Sequence, residues 1–442
     1  MLPSGWPGHI WLEGRTSVHL QDHQPRPSHM PRGPAQKTGE GFLNPAMAPA
    51  RTRSVMILAD AVEHGWLTPE GKPIRILDAL CATGVRPRRW RREVPGQHRL
   101  RITANDLDAD SVAWGRASHE THPIGDGHDW EIEAGRFERD CEGVVEDGIH
   151  WIEGDARKLM VQTPHQWIDL DPFGSPVSFL DAAIQSISRI GVLDVTATDT
   201  AALCGSAKTS AARRYGSVGI VDSYMHDDAV RILLATIARV AAMHDRTMHP
   251  ILSLFDGHHV RVTVLLKRSK EEASSLLDSI GYRIRGAPYH FSNTPEGEFS
   301  GPMWTGPLFD ADIAGRITSE RAIELCGGRT EDFPDYWSEV DEDHANRELD
   351  RSVRHISESA ELLSGNHLLV AMDGLGVAAG IGQIPAVKKI LEKLHSNGFR
   401  AARTHMPEPM FATDADWETV LELARQLTEG SSSVSEGEGS IV

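Results

Sequence analysis

Residues 168–176 read I-D-L-D-P-F-G-S-P, and the fold class turns on them. An apolar approach of Trp167, Ile168 and Leu170 runs into Asp171-Pro172-Phe173. The pattern predicts a buried strand that stops at a proline, followed by a loop with Gly174 and Pro176. A carboxylate, a rigid ring and an aromatic face then meet at the C-terminal end of a strand. In open α/β sheets that edge binds ligands. Most Asp-Pro pairs are plain turns, so the flanking segments have to decide.

Upstream, residues 74–86 read I-R-I-L-D-A-L-C-A-T-G-V-R. This is an apolar strand ending at Asp78, a turn of small residues and a helix start, the outline of a nucleotide-binding βα turn. The usual D-x-G-x-G-x-G is degraded: Leu80 and Ala82 stand where glycines often do, and Gly84 alone remains. A second strand over residues 100–104 leads to Asn105-Asp106, where a carboxylate suits ribose hydroxyls or caps the next helix. A third, over 149–155, ends in Gly154-Asp155-Ala156, placed either against an adenine ring or as a helix cap. Downstream come a strand over 192–200, an apolar helical face of Val230, Leu233, Leu234, Ile237, Val240 and Ala241, and a β-branched strand over 259–267. Alternating strands and helices predict a mostly parallel sheet with helices on both faces, complete near Lys267.

Outside that core, residues 1–40 are rich in Pro, Gly, His and Gln and read as an irregular leader. From Lys270 the chain is more polar. It predicts a helix over 271–280, a Gly/Pro-rich stretch over 286–307, a helix over 386–395, a strand over 399–405 and a last helix over 416–427. The Ser/Gly/Glu tail from 429 reads as disordered. The expected layout is therefore a leader (1–40), an α/β domain (41–268), a smaller α+β domain (269–428) and a tail (429–442).

Composition narrows the classes. Hydrophobic content of 40% and charged content of 24% across 442 residues suit a globular protein of two or three domains. No apolar run is long enough for a membrane helix, and the N-terminus has no signal pattern. Cys81, Cys141, Cys204 and Cys326 stand far apart, so neither a zinc ribbon nor a disulfide framework is expected, and a reducing cytoplasm fits. The net charge of -18 argues weakly against nucleic acid, although local patches decide binding. The densest basic run, R-P-R-R-W-R-R at 86–92, is either a phosphate-contacting helix or a solvated face paired to nearby acids.

Asp-Pro-Phe-Gly stands where methyltransferases acting on exocyclic amines carry an Asp/Asn-Pro-Pro-aromatic tetrapeptide. From about Gly41 to Leu427 the chain resembles the archaeal and eukaryotic tRNA (guanine-N2) dimethyltransferases, which modify position 26. The shared order carries the resemblance: F-L-N-P-A-M followed by Arg51, D-A-L-C-A-T-G-V-R, A-N-D, G-D-A, I-D-L-D-P-F-G-S-P, T-A-T-D-T-A-A-L-C-G, R-Y-G, H-V-R-V, G-P-M-W-T-G-P-L and R-T-H. It implies a Rossmann-like class I methyltransferase domain followed by a tRNA-binding domain. It implies S-adenosyl-L-methionine as cofactor and tRNA as partner, with no obligate protein partner.

The resemblance makes Arg51, Arg86, Asp106, Asp155 and Ala156 cofactor ligands, and Asp78 and Gly84 belong to the cofactor turn. Asp171 matches the catalytic aspartate, and Phe42 and Phe173 match the aromatics that hold a flipped guanine. Two departures stand out. A-R-T-R-S-V replaces the common N-R-D-x-S-V around Arg51, and residues 282–301 lack the cysteine pairs of many archaeal members, so no metal is expected. Two other readings share the strand-end Asp-Pro site or the cofactor fold: a methyltransferase for DNA adenine or protein glutamine, and a non-catalytic RNA-binding protein.

Overall fold

A computed structural model describes residues 2–21, 43–69, 71–120, 144–146, 148–328, 339–365 and 367–435. The chain opens with a hairpin, β1 (His9–Glu13) and β2 (Thr16–Leu20), then α1 (Ala48–His64). The α/β layer follows: β3 (Ile74–Asp78), α2 (Val85–Glu93), β4 (Leu100–Asp106), α3 (Ala109–Ala117), β5 (Val144–Glu146), β6 (Ile149–Glu153), α4 (Ala156–Gln162), β7 (His165–Leu170), α5 (Val177–Ser186), β8 (Ile187–Ala197), the short α6 (Thr200–Leu203), α7 (Lys208–Tyr215), α8 (Met225–Met243), β9 (Arg246–Asp256) and β10 (His259–Arg268).

Strands β5 to β10 with β3 and β4 form one eight-stranded sheet, in the order β5-β6-β4-β3-β7-β8-β10-β9. The five strands from β6 to β8 pair in parallel, while β5, β9 and β10 run antiparallel. This is the mostly parallel sheet the sequence predicts. β3, β4 and β7 are buried on both faces, which explains their near-continuous apolar runs. The strand order places the ends of β4, β3, β7, β8 and the start of β10 side by side along one edge.

The cofactor turn shows what the lost glycines cost. Gly84 caps α2 at φ +73°, and a Cβ there would sit 2.2 Å from the Trp151 ring. Ala82, one of the residues standing for a glycine, holds φ +47°. An L-residue in that region is disfavoured by roughly 1–2 kcal/mol. The conformation is held because the Ala82 N–H donates to the Asp106 carboxylate at 2.8 Å.

The leader is not irregular throughout. Its first twenty residues hold the hairpin, joined by a two-residue turn with Gly14 at φ +58°. Glu13 is buried and accepts from two of the three Arg51 guanidinium nitrogens, Nε at 2.6 Å and Nη2 at 2.5 Å. It also accepts from Arg89 at 3.1 Å. Arg89 in turn grips Glu93, and Arg15 donates to the Gly327 and Glu324 carbonyls at 2.6 Å each. Burial pushes the Glu13 carboxyl up, but Arg51 and Arg89 outweigh it and hold it down to about 2. The basic run 86–92 is correspondingly no solvated face. Arg86, Arg88 and Arg89 are buried, and Arg86 and Arg89 pair with acids.

After β10 come α9 (Lys270–Leu276), β11 (Ile280–Ile284), β12 (His290–Ser292), β13 (Phe299–Trp304), α10 (Ala311–Gly315), α11 (Ser319–Cys326), α12 (Glu339–Val353), α13 (Ile356–Leu363), β14 (Leu368–Ala371), α14 (Met372–Ala379), α15 (Val387–Ser396), β15 (Ala401–Arg403), β16 (Met410–Thr413) and α16 (Trp417–Ser435). The helix expected over 271–280 is present as α9 but ends at Leu276, ahead of β11, the strand over 399–405 is shorter, and α16 runs past 427 to Ser435.

Strand β16 alternates as a two-sided strand must: Met410 and Ala412 face the main core, and Phe411 faces a second one with Val370 and Leu394. The main core therefore continues past residue 268, where β10 ends without a break in packing. In the stretch without cysteine pairs, Arg283 lies buried between Asp228 at 2.6 Å and Asp222 at 3.0 Å. No described helix is long and apolar enough to cross a membrane.

Two tests follow from the hairpin and the turn. The depressed Glu13 carboxyl contributes stability that is full above its ordinary value of 4.5 and is lost as pH falls towards 2. Glu13→Gln should lower unfolding free energy by about 3–5 kcal/mol near neutrality, the scale for breaking a buried pair. Denaturant titrations should show that gap narrowing below pH 4.5; a gap constant down to pH 3 would contradict the pairing. Ala82→Gly should raise stability by up to about 1 kcal/mol, because strain relief of roughly 1–2 kcal/mol exceeds the added chain entropy of glycine. A lowered melting temperature would count against a strained turn.

Candidate active site

The ends of β3, β4 and β7 open into a cavity of about 620 Å³. Volumes of roughly 300–1,000 Å³ are usual for small-molecule sites. Its floor is Asp78, its far side Asp106, Leu107 and Asp108, and its near side Asp171, Pro172 and Phe173. Leu43, Asn44, Met47 and Arg51 close it from the segment ahead of α1, and Arg86 enters from the first turn of α2. Thr198 and His258 complete the wall beyond β7.

The sequence therefore brings Asp78, Arg51, Arg86, Asp106, Asp171 and Phe173 together. Gly84 shapes the turn without lining the cavity. Asp155 and Ala156 do not line it either. Asp155 caps α4 and is clamped by Arg157 at 2.7 Å, and Ala156 is buried in the core. Phe42 lies outside the described residues.

The catalytic-type loop is held from two sides. The Gly174 N–H donates to the Thr198 hydroxyl at 2.7 Å, and the Thr198 N–H returns a bond to the Gly174 carbonyl at 2.9 Å. One residue on, Tyr215 donates its hydroxyl to Asp199 at 2.6 Å and lies 2.9 Å from Ser175 Oγ. The T-D that follows β8 thus fixes the D-P-F-G-S loop. Phe173 stays 57% exposed, so it is not a core filler.

Beneath the loop lies a buried charge cluster. Arg86 bridges Asp169 and Asp171, the latter at 2.6 Å. Arg261 bridges Asp169 and Asp194, the latter at 2.6 Å, and donates to the Thr196 hydroxyl at 2.5 Å. Burial raises the Asp171 carboxyl, but Arg86 and then Arg261 outweigh it and hold the group below the usual carboxylate range. Asp171 is therefore an anion at neutral pH. Asp78 goes the other way. Burial, abetted by Asp169, Asp171 and Asp106 against the pull of Arg86, pushes it up to about 8. Two carboxyls in one cavity are thus split into an ionised acceptor and a group that keeps its proton near neutrality.

Arg51 is oriented by Glu13 and by the Asn44 carbonyl at 3.1 Å. The leader thus supplies the partner that the altered sequence around Arg51 lacks. Asp106 is oriented by the N–H groups of Ala82 and of Asp108 at 3.0 Å. Among the described residues no cluster of His, Cys, Asp or Glu is arranged to hold a metal ion.

Phe179, Thr198 and His258 escaped the sequence reading. Phe179 had a signal: Leu180, Ala183 and Ile184 form the buried stripe of α5, and Phe179 falls off it. An aromatic residue outside the core stripe, just after an Asp-Pro loop, points to a ligand wall.

The chain is similar to known proteins over most of its length. The family model for N2,N2-dimethylguanosine tRNA methyltransferase matches residues 28–425. The tRNA (guanine(26)-N(2))-dimethyltransferase of Thermococcus kodakarensis is 30% identical over 394 residues, covering 87% of this chain and 93% of that protein. The Pyrococcus furiosus enzyme of the same name is 29% identical over 398 residues, covering 87% and 92%. A solved structure of Trm1 from Pyrococcus horikoshii with S-adenosyl-L-methionine superposes with a TM-score of 0.69 at 26% identity, covering 94% of this chain and 99% of that one. With a fold, a strand-end cavity and a sequence match that runs nearly end to end, the chain belongs to the N2,N2-dimethylguanosine tRNA methyltransferase family.

Proposed function

We propose that this protein methylates, twice, the exocyclic N2 amine of guanine 26 in tRNA, with S-adenosyl-L-methionine as donor. The observation that carries the reading is the ionised Asp171 beside the exposed Phe173, at the mouth of a cavity whose floor and far wall suit the donor. The donor set fits: a strand-end carboxylate, Asp106, for ribose hydroxyls; apolar walls from Met47, Leu107 and Phe179; and the Arg51 guanidinium for a carboxylate. When bound, S-adenosyl-L-methionine supplies a methyl group made electrophilic by its sulfonium.

The chain's own residues do the rest. The lone pair of guanine N2 is delocalised into the ring, so the amine is a poor nucleophile. Asp171 accepts one N2–H, which returns electron density to nitrogen, and receives that proton as the amine acidifies. A methylated guanine amine that has not yet lost its proton is a strong acid, so a carboxylate with a depressed proton affinity still serves. Arg86 keeps Asp171 ionised and aimed, and Pro172 stiffens the loop. Phe173 stacks on the base once it has left its helix. Phe42 is proposed as the opposite face, and Asp155 and Ala156 as an outer edge of the adenine site.

Residues 269–428 are proposed to bind the body of the tRNA, with Lys388, Lys389 and Lys393 of α15 as phosphate contacts within an acidic chain. Cys81, Cys204 and Cys326 are buried free thiols, as a reducing cytoplasm allows.

Three measurements test this. Mass spectrometry of nucleosides from a treated tRNA transcript should find N2-methylated and N2,N2-dimethylated guanosine at position 26; methyl groups found only on DNA or protein would refute the substrate. Asp171→Ala should slow single-turnover transfer roughly 10²–10⁴-fold while cofactor still binds by calorimetry. Phe173→Ala should weaken base capture roughly 10- to 100-fold, the equivalent of 1–3 kcal/mol of stacking, with melting temperature and tRNA affinity little changed. Full activity in Asp171→Ala, or unfolding of both variants, would remove this loop from the chemistry.

A further inference from the structure

The edge of the sheet is ordered by chemistry. Reading along it, Asp106 ends β4, the Asp78 turn follows β3, Asp171 follows β7, Thr198 follows β8, and His258 precedes β10. Val260 of β10 pairs with Ala197 of β8, which sets His258 and Thr198 at neighbouring levels of the same rim. The cofactor-type groups lie on the β3–β4 side of Asp171. His258 and Thr198 lie on the other, where the amine and its base must approach.

His258 lines the cavity from that side, on the short turn between β9 and β10. Its Nε2 is buried and has no hydrogen-bond partner among the described residues. Its ring lies edge-on to His259, with centroids 5.4 Å apart. A buried ring nitrogen left unpaired is unfavourable, which makes it a natural partner for a polar group of an incoming ligand.

We propose that His258 reads the guanine edge, its Nε2 hydrogen-bonding the O6/N1–H side of the base whose N2 amine is held by Asp171. Guanine presents N2–H, N1–H and O6 in a row, so with N2 at Asp171 a side chain farther along the same cavity rim is placed to meet the last two. A neutral imidazole donates to O6 in one tautomer and accepts from N1–H in the other. Both groups distinguish guanine from any purine that has only the 2-amino group. The inference rests on the guanine-N2 reading above and adds a residue that selects the base.

The test uses the full chain with tRNA transcripts carrying guanine or 2-aminopurine at position 26. 2-Aminopurine keeps the reacting amine and lacks both O6 and N1–H. Single-turnover rates are measured for the native protein, His258→Ala and His258→Gln, with melting temperature and cofactor affinity as controls. The native protein should prefer guanine by roughly 10- to 100-fold, the range for leaving one buried polar group unpaired. His258→Ala should lose that factor with guanine and change less than about threefold with 2-aminopurine, so the preference collapses. His258→Gln, which can still donate or accept, should restore part of it. Equal slowing on both bases would make His258 structural and overturn the proposal, as would an unchanged preference. A native protein that methylates neither transcript would instead overturn the guanine-N2 reading itself.

Discussion

Two arginines bridge three buried aspartates under the active loop, with a fourth acid, Asp78, close by, and the site depends on that balance. Arg86 and Arg261 enter the same buried volume as Asp169, Asp171 and Asp194, with Asp78 close by. Isolated charges there would cost several kcal/mol each in desolvation. The guanidinium forks bridge the acids in pairs, so the negative charge that remains is distributed unequally. Arg86 and Arg261 keep Asp171, which lines the cavity, ionised, whereas burial and the neighbouring acids push the Asp78 and Asp194 carboxyls up. The same Arg86 therefore sets both the ionisation and the aim of the proposed proton acceptor.

The second constraint is mechanical. Asp171 sits on a loop whose position is inherited from its neighbour, because Gly174 and Thr198 exchange hydrogen bonds and Tyr215 joins Ser175 to Asp199. Arg51 is likewise set by Glu13 before any ligand arrives. Side chains oriented in advance lose little entropy on binding, which is how a polar site reaches useful affinity. The cofactor turn shows the opposite tendency. Ala82 keeps a left-handed backbone because its N–H is needed by Asp106, and local strain is tolerated where the surrounding contacts fix the geometry.

The parts of this site that were legible in the sequence are those made of short-range pattern. The strand endings at Asp78, Asp106 and Asp171 could be read because a buried parallel strand is a continuous apolar run and its end is marked by a carboxylate or proline. The hairpin was hidden by the composition around it. Yet T-S-V-H-L and H-I-W-L-E flank a Gly-Arg turn, a local signal outweighed by the Pro- and His-rich residues that follow. Glu13 as the partner of Arg51 could not be read at all, since nothing in either segment says that they meet. The arginines at 86–89 misled for the same reason: a basic run looks solvated until the buried acids opposite it are known. His258 stayed silent because its meaning lies in strand order, which no local window contains.

The hairpin also bears on the order in which the molecule can assemble. Arg15 finds its carbonyl acceptor on Gly327, 312 residues downstream. During synthesis at roughly 5–20 residues per second, the first strands emerge about 15–60 s before that acceptor exists. The parallel strands up to β8 can meet in the meantime, whereas the hairpin turn must wait for α11. Glu13 and Arg51 can pair early, but the far anchor closes late, across a very long loop. The last event in building the cofactor site is then the seating of its first residues, and a nascent chain stalled before residue 324 should carry the sheet with its N-terminal strap anchored on one side only.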